Sequence, residues 1–151
     1  MRIIISTVAF AVFCCNLSAQ TQEVASTMSS TSTKLVSTVY DWENMQPTPV
    51  SNGVRRAVFN GPTATLDEIN CHITTLNPGA RSGAPRRHLQ EEVIIVKEGR
   101  VEATADGHSQ IVGPGSVIFF ASGATTCLRN AGDGPCTYTV VYYYTPLTPK
   151  K

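Results

Sequence analysis

The feature that most constrains the fold is a series of short extended runs separated by turn residues. From Val54 onward, runs rich in β-branched and aromatic residues alternate with breaks of Gly, Pro, Asn and Asp. The runs are 54–60, 64–76, 92–97, 100–105, 109–112, 116–121, 125–129 and 137–145. No stretch has a sustained 3.6-residue apolar period with caps, so we expect no long helix. Many short strands at this spacing predict an all-β sandwich or barrel.

Two of the breaks carry specific predictions. Asp106-Gly107 predicts a two-residue hairpin in which both central residues take positive φ. The turn-rich segment 130–134 separates the last two runs, and if its centre is the turn, Cys127 and Cys136 lie opposite each other. A short cross-strand disulfide is then feasible. The alternative is three buried thiols, with Cys71 as the third.

Residues 1–19 have the pattern of a secretory signal peptide. A basic residue precedes the mainly apolar run 3–13, and the small residues of 17–19 precede a plausible cleavage site. The apolar run is too short to span a bilayer. We therefore expect cleavage near Ala19, export to the periplasm or the medium, and no membrane association afterwards. A lipoprotein anchored through Cys14 or Cys15 is the alternative.

The remaining chain is long enough for one domain. Its 151 residues can bury a single sizeable core. We expect a flexible Ser/Thr-rich linker over 20–35, an N-terminal arm over 36–53, a β-barrel domain over 54–147 and a tail over 148–151. With 12 basic and 11 acidic side chains, the chain lacks the basic surface that nucleic-acid binding requires.

One motif carries a family resemblance. Arg86, His88, Glu92 and Gly99 follow the spacing of the first motif of the cupin superfamily, in which His-x-His precedes a glutamate and then a glycine. Three residues separate His88 from Glu92, and six separate Glu92 from Gly99. The sequence therefore resembles a cupin at the motif that normally lines the barrel interior.

A second segment resembles the other cupin motif. Pro114-Gly115 leads into an apolar run, and Thr126 stands where that motif has its histidine, with Asn130 four positions later. The resemblance spans about 74–143. It implies a cupin-like double-stranded β-helix, or jelly-roll, barrel. Cupins commonly pair through edge strands, so one alternative function is an interaction module whose barrel only supports a homodimer, with the arm around 40–42 exchanged between subunits.

The sequence departs from the family where the metal would bind. Arg86 and Thr126 replace two of the ligands that the resemblance implies, so only His88 and Glu92 remain. Catalytic metal sites usually keep at least three protein ligands. Because a guanidinium cannot lose its proton, we expect Arg86 to form an ion pair with Glu92 in place of the ion.

A metal-dependent enzyme is the alternative. If His72 faces the interior, then His72, His88 and Glu92 form a His-His-carboxylate set that suits a divalent metal such as Fe, Mn, Ni or Zn. The pattern of its strand does not decide which face is inward. The resemblance then implies an isomerase, oxygenase or hydrolase that acts on a small polar substrate.

The leading hypothesis is a barrel interior that binds a small molecule. Arg86 would bind an anionic group, His88 and Thr126 would donate hydrogen bonds to it, and Glu92 would hold Arg86 in place. The apolar lining predicted for this pocket consists of Ile94, Val96, Phe119 and Leu128.

Overall fold

The structure, a computed structural model, describes residues 33–149. The expected signal peptide over 1–19, and nearly all of the expected linker over 20–35, lie outside the described residues. No helix within 33–149 is both long enough and apolar enough to cross a membrane.

Antiparallel strands form almost all of the regular structure in this range. The strands are β1 Thr48–Val50, β2 Gly53–Gly61, β3 Glu68–Leu76, β4 Arg86–Arg87, β5 Glu91–Glu98, β6 Val101–Ala105, β7 His108–Val112, β8 Val117–Phe120, β9 Thr125–Asn130 and β10 Cys136–Tyr144. A short 3-10 turn spans Trp42–Asn44. The first sheet has the strand order β1-β2-β3-β10-β5-β8, and the second has the order β4-β9-β6-β7. The all-β jelly-roll prediction is confirmed.

The turn predictions have different outcomes. Asp106 and Gly107 have φ of 47° and 84°, and they join β6 to β7 as the hairpin rule requires. By contrast, the segment 130–134 is not a hairpin turn. It carries the chain from the second sheet to the first, because β9 pairs with β6 whereas β10 pairs with β3 and β5.

Of the two alternatives for the cysteines, the structure has the free thiols and not the disulfide. Cys127 lies opposite Thr104 in the second sheet, and Cys136 lies opposite Leu76 in the first. Both are buried free thiols, as is Cys71. A turn-rich segment between two strands fits a sheet-to-sheet crossover as well as a hairpin, and the sequence pattern does not separate the two.

The core fills one end of the space between the sheets. Its members come from both sheets and are almost fully excluded from solvent: Leu76, Ile94, Val96, Val101, Ile118, Phe120, Leu128, Cys136, Tyr138 and Val140. Asn130 closes this end, because its buried amide donates to the carbonyls of Leu76 and Gly134 and accepts from the backbone N–H of Gly132. Every polar atom of this side chain is thereby satisfied.

Gly99 ends β5 where β10 passes very close. Its φ is +77°, and a Cβ there would lie 2.7 Å from the Cα of Cys136. Real Cβ atoms do not approach a neighbour so closely, so only glycine fits. This contact gives a physical reason for the glycine that ends the first motif.

The segment before β1 packs against the outer face of the first sheet. Two cations lie over the Trp42 ring. Its centroid is 4.6 Å from Cζ of Arg56 on β2 and 3.2 Å from Nζ of Lys97 on β5. Tyr40 packs against Phe59, with ring centroids 5.5 Å apart. Since β3 and β10 lie between β2 and β5, Trp42 spans the middle of the sheet. We call the segment 35–45 the strap.

Candidate functional site

The other end of the space between the sheets is an open cavity of about 320 Å³. Both sheets contribute to its walls. The polar and ionisable lining consists of Asn52, Arg55, His72, Thr74, Ser82, Arg86, His88, Gln90, Glu92, Thr126, Cys127, Tyr138 and Tyr142. This end of the interior is therefore polar, whereas the core end is apolar.

Strand register explains why His72 and Glu92 share the cavity. Val140 of β10 lies opposite His72 of β3, and two residues later Tyr142 lies opposite Glu92 of β5. Residues two apart in a strand point to the same face, so these side chains all project inward. The face of His72, which the sequence left open, is the inner one.

The second sheet brings Arg86 and Thr126 to the same cavity. Arg86 on the short edge strand β4 lies directly opposite Thr126 on β9. Partners opposite each other in a sheet share a face, and both line the cavity. The four residues predicted to bind a ligand, Arg86, His88, Glu92 and Thr126, are thus brought together.

A chain of polar contacts runs along one wall. Arg86 Nε donates to His88 Nε2 at 3.0 Å, and Gln90 Nε2 lies 2.8 Å from His88 Nδ1. Gln90 Nε2 also donates to Glu92 Oε1 at 3.1 Å. Gln90 Oε1 in turn accepts a hydrogen bond from the hydroxyl of Tyr144 at 2.9 Å. The buried Gln90 amide therefore links the histidine, the glutamate and the end of β10.

Arg86 occupies one ring nitrogen of His88. The Nε of a guanidinium always carries its hydrogen, so Nε2 of His88 offers a lone pair to it. The other ring nitrogen, Nδ1, lies 2.8 Å from Gln90 Nε2 and 3.5 Å from Glu92 Oε1. Both ring nitrogens of His88 face partners from the protein itself.

The predicted ion pair between Arg86 and Glu92 does not form. Within 33–149, Arg129 forms an ion pair with Glu102, and the carboxylate of Glu92 lies 3.5 Å from His88 Nδ1. Arg86 is exposed at a sheet edge, and its side chain reaches His88 before it reaches Glu92. Gln90, which sequence reasoning missed, fills the position beside the carboxylate. Its spacing of two residues from both His88 and Glu92 was a signal that could have identified it.

His72 is held neutral at the far side of the cavity. Its Nδ1 lies 2.9 Å from the amide oxygen of Asn70, whose amide nitrogen donates to Asn60. The imidazole edge faces Tyr142, with ring centroids 6.3 Å apart. Burial, assisted by the positive charge of Arg55, lowers the pKa of His72 to about 4.

Hydroxyl groups complete the walls. Burial raises the pKa of Tyr138 and of Tyr142, so both phenols keep their hydrogens and remain donors. Thr126 is only 5% exposed, and its hydroxyl makes none of the side-chain hydrogen bonds found among residues 33–149. Because Thr126 lines the cavity, its hydroxyl is free to form a hydrogen bond with a ligand there.

The predicted apolar lining is partly wrong. Leu128 lines the cavity, whereas Ile94 and Val96 lie deeper, in the core. Phe119 is 57% exposed on the outer face, and its neighbour Phe120 takes the inner position opposite Glu92. Four consecutive apolar residues in β8 show no alternation, so sequence alone did not distinguish Phe119 from Phe120.

The residues present do not fit a metal ion. Within 33–149 there is no group of three His, Cys, Asp or Glu side chains arranged to hold one. Nε2 of His88 already accepts a hydrogen bond from the Arg86 guanidinium. Replacing Arg86 would therefore be necessary before His88 could offer Nε2 to a cation.

Comparison with known proteins now identifies the fold family. Residues 72–142 match the model of the cupin domain. The protein belongs to the cupin superfamily. The curated proteins include no significant sequence match to this cupin.

Solved cupin structures share its fold at low sequence identity. A RmlC-like cupin from Shewanella frigidimarina is 14% identical, with a TM-score of 0.60 over 74% of this chain and 95% of that chain. A sugar phosphate isomerase of the cupin superfamily from Silicibacter pomeroyi is 22% identical, with a TM-score of 0.56 over 72% and 77%. A predicted oxalate decarboxylase from Thermotoga maritima is 17% identical, with a TM-score of 0.58 over 71% and 99%. At these identities the likeness concerns the fold alone.

Proposed function

We propose that this cupin is exported and binds a small anionic molecule in its barrel cavity. The observation that carries the proposal is the imbalance of charge on the described cavity walls, where two arginines stand against one glutamate. Arg55 and Arg86 are cationic, and the hydroxyls of Tyr138, Tyr142 and Thr126 are donors. A ligand rich in acceptors and negative charge complements such a surface.

Part of the acceptor capacity of the wall is already used. Glu92 is the one carboxylate among the described lining residues, and its Oε1 accepts a hydrogen bond from Gln90. His88 is engaged at both nitrogens. The described lining thus has two arginines and one carboxylate, and this balance of charge favours an anion over a cation or an apolar molecule.

Arg86 is the proposed anchor for the anionic group. Only its Nε is used in the contact with His88, which leaves the two terminal NH₂ groups to form a fork with a carboxylate. Thr126, directly opposite in the sheet, supplies a hydroxyl to the same group. In this proposal Glu92 acts through Gln90 and His88 to position Arg86, instead of through a direct ion pair.

The solved relatives do not assign a reaction to this chain. They include an isomerase and a predicted decarboxylase, so the fold accommodates catalysis. The described residues provide no ligand set through which metal chemistry could act. Binding is therefore the function that the geometry favours. Export rests on the sequence pattern of residues 1–19.

Titration calorimetry at low ionic strength tests the proposal. The probes are acetate and butyrate, with butylamine as a cation of similar length. We expect the carboxylates to bind and the amine not to bind. Arg86→Gln should weaken carboxylate binding at least tenfold, which corresponds to about 1.4 kcal/mol.

Arg87→Gln is the matched control. Arg87 adjoins Arg86, lies opposite Thr125 and is exposed, and it is not part of the cavity wall. This variant loses one positive charge but keeps Arg86, so its carboxylate affinity should stay within about twofold of the wild-type value. Equal weakening by both variants would show that only net charge matters, and would contradict the proposed site.

A further inference from the structure

Arg55 is a second cationic residue of the cavity, and the predicted site did not include it. It lies on β2, opposite Thr74 of β3, and lines the cavity from the first sheet. It forms no ion pair within 33–149. Its positive charge influences His72 and Tyr142, so it lies at their end of the cavity.

Arg86 reaches the cavity from the opposite side. It belongs to the edge strand of the second sheet and contacts His88. The two guanidinium groups therefore approach one cavity from two different sheets. A ligand with a single anionic group satisfies one of them and leaves the other with water.

The rest of the described cavity wall is mostly neutral. His72 is uncharged at neutral pH, and the phenols of Tyr138 and Tyr142 keep their hydrogens. Glu92, the one carboxylate of the described lining, is engaged by Gln90 on the wall that holds His88. The two arginines are thus the positions on the described walls where negative groups are favoured.

We propose that the ligand is a small dicarboxylate, with one carboxylate bound by Arg55 and the other by Arg86. A carboxylate matches one guanidinium fork, so two arginines suit two carboxylates. The volume of about 320 Å³ is at the small end of the range for ligand pockets. This inference rests on the proposed function, because it specifies the anion that the same cavity binds.

The test compares acids of equal chain length that differ in one carboxylate. Calorimetry on the full mature chain would use succinate against butyrate, and glutarate against valerate. We expect each dicarboxylate to bind at least tenfold more tightly than its partner. Arg55→Gln should remove that advantage, while butyrate affinity changes less than twofold because butyrate depends on Arg86.

Arg56→Gln is the control variant. Arg56 is the next residue along β2, but it points to the outer face and contacts the Trp42 ring. It should leave the preference for succinate unchanged. Thermal unfolding of each variant shows whether the fold is retained, and Arg55→Lys provides a folded variant that keeps the charge but loses the fork.

The outcomes separate the two proposals. If neither acid of a pair binds the wild-type protein, the anion-binding function is wrong. If butyrate and succinate bind equally, or if Arg55→Gln leaves the preference intact, the two-arginine inference is wrong and the anion-binding function stands. If Arg55→Lys keeps the full preference for succinate over butyrate, the bidentate geometry of the Arg55 guanidinium is not what holds the second carboxylate.

Discussion

The two ends of the interior are built from the same strands and differ in what those strands place between the sheets. At one end, β3, β5 and β10 contribute Leu76, Val96 and Cys136, which are packed and dry. At the other end, the same three strands contribute His72, Glu92 and Tyr142, which surround open space. Stability resides mainly in the first end. The second end is therefore free to carry polar and charged groups that a packed core would not tolerate.

The largest expected effect belongs to the packed end. Leu76 is fully buried in the core, and Leu76→Ala should lower the free energy of unfolding by about 2 to 5 kcal/mol, because it removes buried methyl groups and leaves a void. Urea unfolding followed by circular dichroism measures the change. If the free energy of unfolding falls by less than about 1 kcal/mol, the core around Leu76 rearranges to fill the void. The packed end would then not be the main source of stability.

At the cavity end, we expect His72 to have a smaller effect on the free energy of unfolding, and this effect depends on pH. The folded protein holds His72 neutral with a pKa of about 4, whereas the unfolded chain titrates near the ordinary value of 6.5. Between these two values the unfolded state binds more protons, so stability should fall as the pH falls from about 6.5 to about 4. Urea midpoints across this range measure the slope.

His72→Gln should flatten that slope. His108→Gln is the control, because His108 is exposed at the start of β7 and should leave the slope as it is in the wild type. If both variants retain the same pH dependence, His72 is not held neutral by the fold. In that case the cavity wall carries more positive charge than the structure indicates.

The smallest effect on stability is expected at Thr126. Its side chain lines the cavity, and its hydroxyl makes no side-chain hydrogen bond within 33–149 that the similarly shaped valine would break. Thr126→Val should therefore leave the free energy of unfolding unchanged or raise it by up to about 1 kcal/mol. Carboxylate affinity should fall at the same time. A clear loss of stability would show that the hydroxyl serves the fold.

The fold was more predictable than the cavity for a physical reason. Strand positions depend on local composition and turn chemistry, and Asp106-Gly107 shows how closely such chemistry determines φ. β1 and β4 were missed because runs of two or three residues are too short to show alternation.

The contacts within the site depend on tertiary distances that spacing does not encode. The motif spacing correctly grouped Arg86, His88 and Glu92, yet the partner of Arg86 is His88. Arg55 is far from these residues in sequence and reaches the cavity only through the pairing of β2 with β3. No local pattern marks it, and the register of the sheet is needed to find it.

The strap supplies an optical probe of its own attachment. Trp42 is the only tryptophan in the sequence, and its ring is covered by Arg56 and Lys97 on the face of the first sheet that points away from the cavity. The intrinsic fluorescence of the protein therefore reports whether the strap is seated. Filling the cavity should leave the emission unchanged, whereas release of the strap into water should shift it to longer wavelength, so one spectrum distinguishes the two events.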